Sequence, residues 1–330
     1  CYVYFDVWFP SIADYCTNGD NLASCVKTFG NQGSDISNIY IHNSTLTNGA
    51  GDNSYRYAGP SDQVNNFVCF GSTTSLCPTD NLYRIIGIID GKVKLIKYDY
   101  MTSDELGTDG DYSKTYKESG LGSVYKGTYG DGERIGVYYW NYKADTTINN
   151  GWGSNTWSTS LFNKTNLNTN FINNMGSAWA NKIASTIWKV GGNLYTNIVG
   201  SIPSVAYQNE ITNLDATNTT DNAITYDAKI GLMYVSDYGF AASPSAWTLT
   251  MGSYNNATAT NNNWMYMGLY EWTLSRNSDY SYRVFNVGSV GNLRRFNAGG
   301  ICAGRAVFNL ESFVTYKSGT GKVNDPILIN

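Results

Sequence analysis

Two β-rich segments joined by Asp90-Gly91 restrict the fold of this chain more than any other feature. The residues from Asn81 to Tyr98 read NLYRIIGIIDGKVKLIKY. Isoleucine, valine and tyrosine favour strands, and Asp-Gly suits the two-residue type I′ turn that joins antiparallel strands. The sequence therefore predicts a β-hairpin here, and a fold built on antiparallel sheet.

Several shorter segments also have the composition of strands. Ile39 and Ile41 alternate with other residue types over SNIYIHN, which is typical of a half-buried strand. Short continuous apolar runs are consistent with strands that are buried on both faces. The segments predicted as strands on these grounds are 2–9, 37–43, 65–70, 137–141, 228–238, 304–310 and 312–316.

One region has helical periodicity. Between about 158 and 188, apolar residues recur at spacings of mostly three and four. They are Leu161, Leu167, Phe171, Ile172, Met175, Trp179, Ile183 and Ile187. The run from Asn173 to Gly176 predicts a break between two helices, and the segment from Lys189 to Gly192 predicts their end. We interpret the apolar stripe as core packing. The predicted fold class is α+β, with mostly antiparallel sheet and one or two helices.

Charge and hydropathy narrow the classes of function. The chain has 22 Lys and Arg against 26 Asp and Glu, a net charge of −4, whereas a general nucleic-acid binder needs a basic face. No run reaches the roughly 18 apolar residues of a membrane helix, so we expect no membrane span in this chain. No signal segment is visible, and we expect any export signal to lie outside these 330 residues. Low charge with 27 Tyr and 34 Gly is typical of extracellular β-rich proteins.

Six cysteines point to an oxidising compartment. Cys69 and Cys77 flank one short polar loop and Cys16 and Cys25 flank another, and a disulfide can close either loop. Zinc is the competing interpretation, but there is no CxxC pair and only one histidine, His42. We therefore predict disulfides and an extracellular location. For Cys1 and Cys302, a long-range pair and two free thiols both stay open.

The Gly-rich loop Gly107–Asp111, GTDGD, has alternating carboxylates of the kind that bind calcium. Its ligands are too few for a calcium site, so a solvated loop is the favoured interpretation. We predict no cofactor and no metal ligand.

The stretch from Asn261 to Leu310 combines an apolar frame with an adaptable segment. Trp264–Arg276 and Gly304–Leu310 read as core, while 280–301 mixes Tyr, Phe, Asn, Ser and Arg with Gly. Aromatic side chains give contact area at low entropy cost, and small polar residues give adaptable hydrogen bonds. The predicted ligand-binding residues are Tyr280, Tyr282, Phe285, Asn286, Ser289, Asn292, Arg294, Arg295, Phe296 and Asn297. In the alternative interpretation Val284, Phe285 and Val287 are core and the others are loop residues.

Several longer segments of the chain have a distinctive wording, including DNSYRYAGP, DNLYRIIGIIDGKVKLIKYDY, KIGLMYVSDYGFAASPSAW, NWMYMGLYEWTLSR and GRAVFNLESFVTYKSGTGKVNDP. Together these segments resemble a family of surface proteins from low-GC Gram-positive gut bacteria. Such proteins often carry a type IV prepilin-like segment ahead of an ectodomain that resembles C-type-lectin-like folds, including those diversified by retroelements. The segment 1–51 is loosely patterned, and the resemblance covers about 50–330. It implies an ectodomain at 52–330 whose C-terminal part is C-type-lectin-like. It also implies a variable window at about 280–301.

The chain departs from that family pattern in three ways. Ala306 stands where the family usually has proline, the hydrophobic pilin helix is absent, and the Glu-Pro-Asn and Trp-Asn-Asp motifs of true C-type lectins are missing. The resemblance therefore implies no calcium-dependent sugar site.

Three functions follow as hypotheses. The first is cell-surface recognition or adhesion, with a protein or glycan ligand on a host, bacterial or phage surface. The second is a pilin or filament subunit that self-assembles without a dedicated ligand site. The third is a carbohydrate-active or formylglycine-generating-like enzyme, which would have to be built around His42, Glu271 or Cys302. We favour recognition and expect no enzymatic activity.

Overall fold

The computed structural model describes residues 10–74, 76–116, 124–130, 132–143, 151–214, 223–255 and 261–330. Two predictions lie outside these ranges, namely the strand at 2–9 and the state of Cys1. The strands in the described ranges are β1 Ile39–Ile41, β2 Tyr55–Tyr57, β3 Phe67–Cys69, β4 Leu82–Ile89, β5 Lys92–Lys97, β6 Tyr112–Thr115, β7 Gly136–Tyr139, β8 Thr186–Lys189, β9 Gly192–Asn193, β10 Thr225–Ala228, β11 Glu271–Asn277, β12 Arg283–Val287, β13 Leu293–Asn297, β14 Ile301–Cys302, β15 Val307–Asn309, β16 Tyr316–Ser318 and β17 Leu328–Ile329.

Most helices are short. The α-helices are α1 Leu22–Gly30, α2 Ser34–Ser37, α3 Ser103–Leu106, α4 Ile172–Met175, α5 Ser177–Ala180, α6 Tyr195–Ile198, α7 Pro203–Tyr207 and α8 Val235–Phe240. Two π-helices cover Phe162–Phe171 and Gln208–Thr212, and 3₁₀ turns cover Ile12–Asp14, Thr79–Asn81, Trp157–Thr159, Pro244–Ala246 and Met251–Ser253. Among the described residues, no helix has the length and apolar character that crossing a bilayer requires.

The predicted hairpin is the centre of the largest sheet. β4 and β5 pair antiparallel, and their turn places Asp90 at φ 50° and Gly91 at φ 75°, as a type I′ turn requires. The sheet runs β1-β2-β4-β5-β15, and β3 joins the other part of β4. The change of partner along β4 falls near Gly87, where a β-carbon would collide with the carbonyl of Tyr55. The hairpin prediction is confirmed.

A second sheet contains strand β11 of the apolar frame and strands β12 and β13 of the segment 280–301, which we call the display segment. Its order is β13-β12-β11-β9, with β13 at one edge and β11 buried along its whole length. The indole of Trp272 on β11 donates to the carbonyl of Tyr138 on β7 at 2.8 Å. In return, the indole of Trp140 donates to the carbonyl of Thr273 at 3.0 Å. These two bonds tie the second sheet to the three-stranded sheet β14-β7-β6.

The core is continuous across the boundary predicted at residues 51 and 52. Strand β1 precedes that boundary and pairs with β2, which follows it. Helix α1 was not predicted, and its apolar face joins the main core through Leu22, Val26 and Phe29. The N-terminal segment therefore shares its core with the rest of the chain.

Three predictions of secondary structure were wrong in part. The segment predicted as a strand at 312–316 forms a turn at Ser312 and Phe313, and strand β16 begins only at Tyr316. The region 158–188 is helical only as far as Ala180, and Thr186–Lys189 is a strand that pairs with β10. The predicted break is confirmed, since Gly176 takes φ 77° between α4 and α5. Within 228–238, only the start belongs to a strand. Helix α8 begins at Val235, because Asp237 accepts from the backbone N–H of Tyr234 and caps the helix.

Both predicted short-loop disulfides are present. Cys16 and Cys25 are bonded with their α-carbons 5.6 Å apart, and Cys69 and Cys77 are bonded at 5.7 Å. Cys302 is a buried free thiol. The fold is therefore mixed α+β with mostly antiparallel sheets and short helices. Two disulfides cross-link short loops within it.

Candidate functional site

The predicted display segment folds as a hairpin whose outer strand is the edge of its sheet. β12 and β13 pair so that Phe285 faces Arg295 and Asn286 faces Arg294. On β13, Leu293 is buried, whereas Arg294 and Phe296 are exposed. The hairpin therefore anchors its inner strand in the core and shows side chains from its outer strand.

Three rings continue this surface at the start of the hairpin. Tyr280 and Tyr282 lie with ring centroids 5.5 Å apart, and Trp152 lies 4.7 Å from Tyr282. Tyr280 is 39% exposed and Trp152 49% exposed, so the aromatic row reaches solvent. The guanidinium of Arg283 lies over the Tyr280 ring at 4.6 Å.

Two further guanidinium groups are held by rings and by one carboxylate. Arg295 lies 4.7 Å from the ring of Tyr195 and 5.1 Å from that of Tyr280, and its Nη1 is 3.2 Å from Oδ2 of Asp279. Arg294 donates to the hydroxyl of Tyr270 at 3.2 Å. Stacking on rings fixes the planes of these guanidinium groups without neutralising their charge.

An open depression of about 590 Å³ lies along β13. Arg283, Arg294 and Arg295 all line it, together with Tyr195 and Phe296. No carboxylate is among the lining residues that the structure describes, and Asp279 pairs with only one of the three arginines. The surface is cationic in a chain whose net charge is −4.

Two of the predicted ligand-binding residues require correction. Phe285 is fully buried and Asn286 is 1% exposed, because β12 lies between β11 and β13 and packs into the core. Neither can touch a partner without opening the sheet. Ser289, Asn292 and Asn297 are half-buried. The predicted residues that are most open to solvent are Tyr280, Arg294 and Phe296, with Tyr282 and Arg295 partly covered.

The acidic loop at 107–111 does not gather metal ligands. Asp111 is fully buried, and its carboxylate accepts four backbone N–H groups at 2.8 to 3.1 Å. Two of the donors, Leu161 and Phe162, begin the first π-helix, so this carboxylate caps that helix. Among the described residues, no group of three or more His, Cys, Asp or Glu side chains could hold a metal ion.

His42 is packed as a core residue. Its ring lies 4.7 Å from Phe240 and 5.2 Å from Trp247, and its Nδ1 accepts the N–H of Ala50 at 3.0 Å. Burial, aided by the charge of Arg56, lowers the pKa of His42 to about 3. The imidazole is therefore neutral at physiological pH and closed to solvent.

A second concavity, of about 450 Å³, was not predicted. It lies between the β4–β5 turn, strand β8, the π-helix at 208–212 and the N-terminus of α8. At its floor, Asp237 accepts from Nζ of Lys94 at 2.6 Å and from Nη1 of Arg56 at 3.3 Å. Burial lowers the pKa of Lys94, and the charge of Asp237 opposes that shift. Buried charges at the base of a concavity are a common property of binding sites.

Sequence reasoning missed this site for a specific reason. Lys94 lies in the strand sequence KVKLIK. A lysine in a strand usually indicates a position that faces solvent. Its partner Asp237 is 143 residues away, and nothing local connects the two.

The chain matches no family model, no curated protein and no solved structure.

Proposed function

We propose that this chain is an extracellular, cell-surface recognition protein that binds its ligand through the β12–β13 hairpin and the aromatic row beside it. The observation that carries the proposal is the depression along β13, in which three ring-held arginines meet and where no carboxylate is among the described lining residues. Arginine, tyrosine and tryptophan are the residue types that most often dominate the energetics of an interface.

The frame behind the hairpin supports this role. Glu271 and Arg305 form a buried two-point ion pair at 2.7 and 3.0 Å, which links β11 to the segment before β15. Arg305 also donates to the carbonyl of Met265 at 2.6 Å, and Thr273 donates to the carbonyl of Phe285 at 2.7 Å. A surface fixed in this way loses little entropy when it binds.

The guanidinium groups favour a ligand with anionic groups, because guanidinium pairs with carboxylate, sulfate or phosphate by charge-assisted hydrogen bonds. The two disulfides agree with an oxidising location. The C-type-lectin-like scaffold and the retroelement-type variability of 280–301 are part of the same proposal. They rest on the family resemblance of segments such as DNSYRYAGP and NWMYMGLYEWTLSR.

Adhesion of beads coated with this chain to cultured epithelial cells tests the proposal. Arg294→Ala and Phe296→Ala should each weaken adhesion by about tenfold, the loss expected at an interface hot spot. Arg134→Ala is the matched control, because its side chain is 48% exposed and lies outside the hairpin. Unchanged adhesion by both hairpin variants, with unchanged thermal melting, would contradict the proposal.

A filament subunit is the second candidate function, and the position of β13 favours it. An edge strand has unpaired backbone groups that can pair with a strand of another copy. Light scattering across a concentration series measures this self-association. A proline at Arg295 should reduce the apparent mass if β13 makes the contact, and a monomer at every concentration would count against this role.

A further inference from the structure

The concavity above Asp237 has polar groups at its floor and apolar groups at its rim. Ile89, Ile187 and Ile211 line it from three different elements, and Trp188 and Tyr207 complete the wall. Ile187 is 66% exposed, an unusual position for an isoleucine on a short strand. The site is therefore charged at its floor and apolar at its rim.

The floor is a buried network of charges. Lys94, Arg56 and Asp237 have side chains that are at most 5% exposed, and Asp52 behind them is 18% exposed. Asp52 accepts from Arg56 at 2.9 Å and from the hydroxyl of Tyr207 at 2.8 Å. Removing such charges from water is costly, so unused donors in the network strongly favour an added acceptor.

Lys94 has donors to spare. Its ammonium group has three N–H bonds, and in the described part of the chain it makes one hydrogen bond, to Asp237. The Tyr234 ring lies 4.6 Å from Nζ and provides a weak electrostatic contact on another side. Lys94 is one of the residues that line the concavity, and its side chain is 5% exposed.

The residues that line the concavity carry more cationic side chains than carboxylates. Four cationic side chains line it: Arg56, Lys92, Lys94 and Lys189. Two carboxylates, Asp90 and Asp237, line it as well. Behind the lining, Asp52 pairs with Arg56, and the charge of Glu210 also acts on Lys94. The lining itself therefore favours an anionic group over a cationic one.

We propose that this concavity binds a small monocarboxylate with an apolar body. The carboxylate accepts from Nζ of Lys94 at the floor, and the apolar body lies between the three isoleucines and Trp188. The volume of about 450 Å³ falls within the range of small-molecule sites. This site shares no lining residue with the depression along β13 and is independent of the recognition function.

Calorimetric titration of the full chain with hexanoate, octanoate and decanoate tests the proposal. Affinity should rise with chain length, because each added methylene buries more apolar surface. Octylammonium and 1-octanol have the same body with a cationic or a neutral head, and both should bind at least about tenfold more weakly than octanoate.

A variant pair at the rim tests the charge requirement without disturbing the floor. Ile187→Glu places a negative charge at the opening, and Ile187→Gln has nearly the same size without the charge. Both should fold, since the native side chain is largely in solvent. The Glu variant should bind octanoate about tenfold more weakly than the Gln variant, and added salt should narrow the difference.

Lys94→Met tests the floor and should abolish the preference for carboxylate over alcohol. Urea unfolding of this variant distinguishes lost binding from lost folding. Equal binding of octanoate and octanol by the native chain would overturn the proposal, as would equal affinities in the Ile187 pair or no heat of binding with any carboxylate.

Discussion

The effect of Asp111→Asn on the stability of the fold can be worked out from the hydrogen bonds of the Asp111 carboxylate. The Asp111 carboxylate accepts from the backbone N–H groups of Tyr142 and Lys143 with one oxygen, and from those of Leu161 and Phe162 with the other. An asparagine keeps one oxygen, but its NH₂ group then faces two donors. Two N–H groups therefore lose their acceptor, and in the less costly orientation of the amide these are the part-buried N–H groups of Tyr142 and Lys143.

The cost follows from those two groups. A buried donor left without an acceptor costs about 1–3 kcal/mol, and the part-buried donors here belong at the low end of that range, so the free energy of unfolding should fall by about 2 kcal/mol. With an m-value of about 3 kcal/mol/M, the urea midpoint should move down by about 0.7 M. Circular dichroism during urea titration measures that midpoint.

Asp109→Asn is the matched control, two residues away. Asp109 is exposed and its carboxylate accepts one side-chain hydrogen bond, from Asn170 at 2.7 Å. Its replacement should change the free energy of unfolding by less than about 0.5 kcal/mol. Equal midpoints for the two variants would refute the capping role of Asp111. A difference that disappears in a chelator would instead indicate that the carboxylate holds a metal.

Two further predictions concern buried charge. Between pH 6.5 and 3, His42 takes up a proton in the unfolded chain but not in the folded chain, because its pKa in the fold is lowered to about 3. The free energy of unfolding therefore falls as the pH falls, and the loss due to His42 reaches about 2 kcal/mol at pH 5. His42→Gln should therefore lose less stability than the native chain between pH 7 and 5, and parallel urea-derived curves would contradict this. Glu271→Leu leaves Arg305 buried without its carboxylate and should cost about 3–5 kcal/mol, whereas Glu271→Leu with Arg305→Met should recover most of that loss in thermal melts. If the loss of stability in the double variant equalled the sum of the losses in the two single variants, Glu271 and Arg305 would not be coupled.

The features that were predicted correctly are determined by residues close together in the sequence. The β4–β5 hairpin follows from its strand-forming arms and from Asp90-Gly91. The helix break follows from Gly176, and the two disulfides follow from short loop spacings. In each case the residues that determine the structure are close in the sequence, at most 14 positions apart for the paired residues of the hairpin.

Errors arose where distant contacts override local pattern. Ile183 and Ile187 continue a helical spacing, but Ile187 lies in β8, which pairs with β10, 36 or more residues later, and Ile183 bridges to Leu310. Val235 continues an apolar run, yet Asp237 and the buried carboxylate of Glu210 accept the N–H groups that begin a helix there. Tertiary hydrogen bonds outweighed the pattern at both places.

The solvent exposure of the predicted binding residues agrees with the prediction for some of them and not for others. The window at 280–301 contains the exposed Arg294 and Phe296, as expected. Phe285 and Asn286 were assigned to the same surface because a single sequence does not show which strand of a hairpin is central. The floor of the second concavity depends on Lys94 and Asp237, which only the folded chain brings together.

The alternation along β13 divides the hairpin into positions with unequal freedom to change. Leu293 on β13 and Val284 and Val287 on β12 fill the core, so a larger or polar residue there disturbs packing shared with the whole sheet. Arg294 and Phe296 face solvent, and most side chains fit at their places. Substitutions at these outward positions can alter what the surface contacts while the fold stays constant. The hairpin can therefore acquire new chemistry one side chain at a time, without a compensating change elsewhere in the chain.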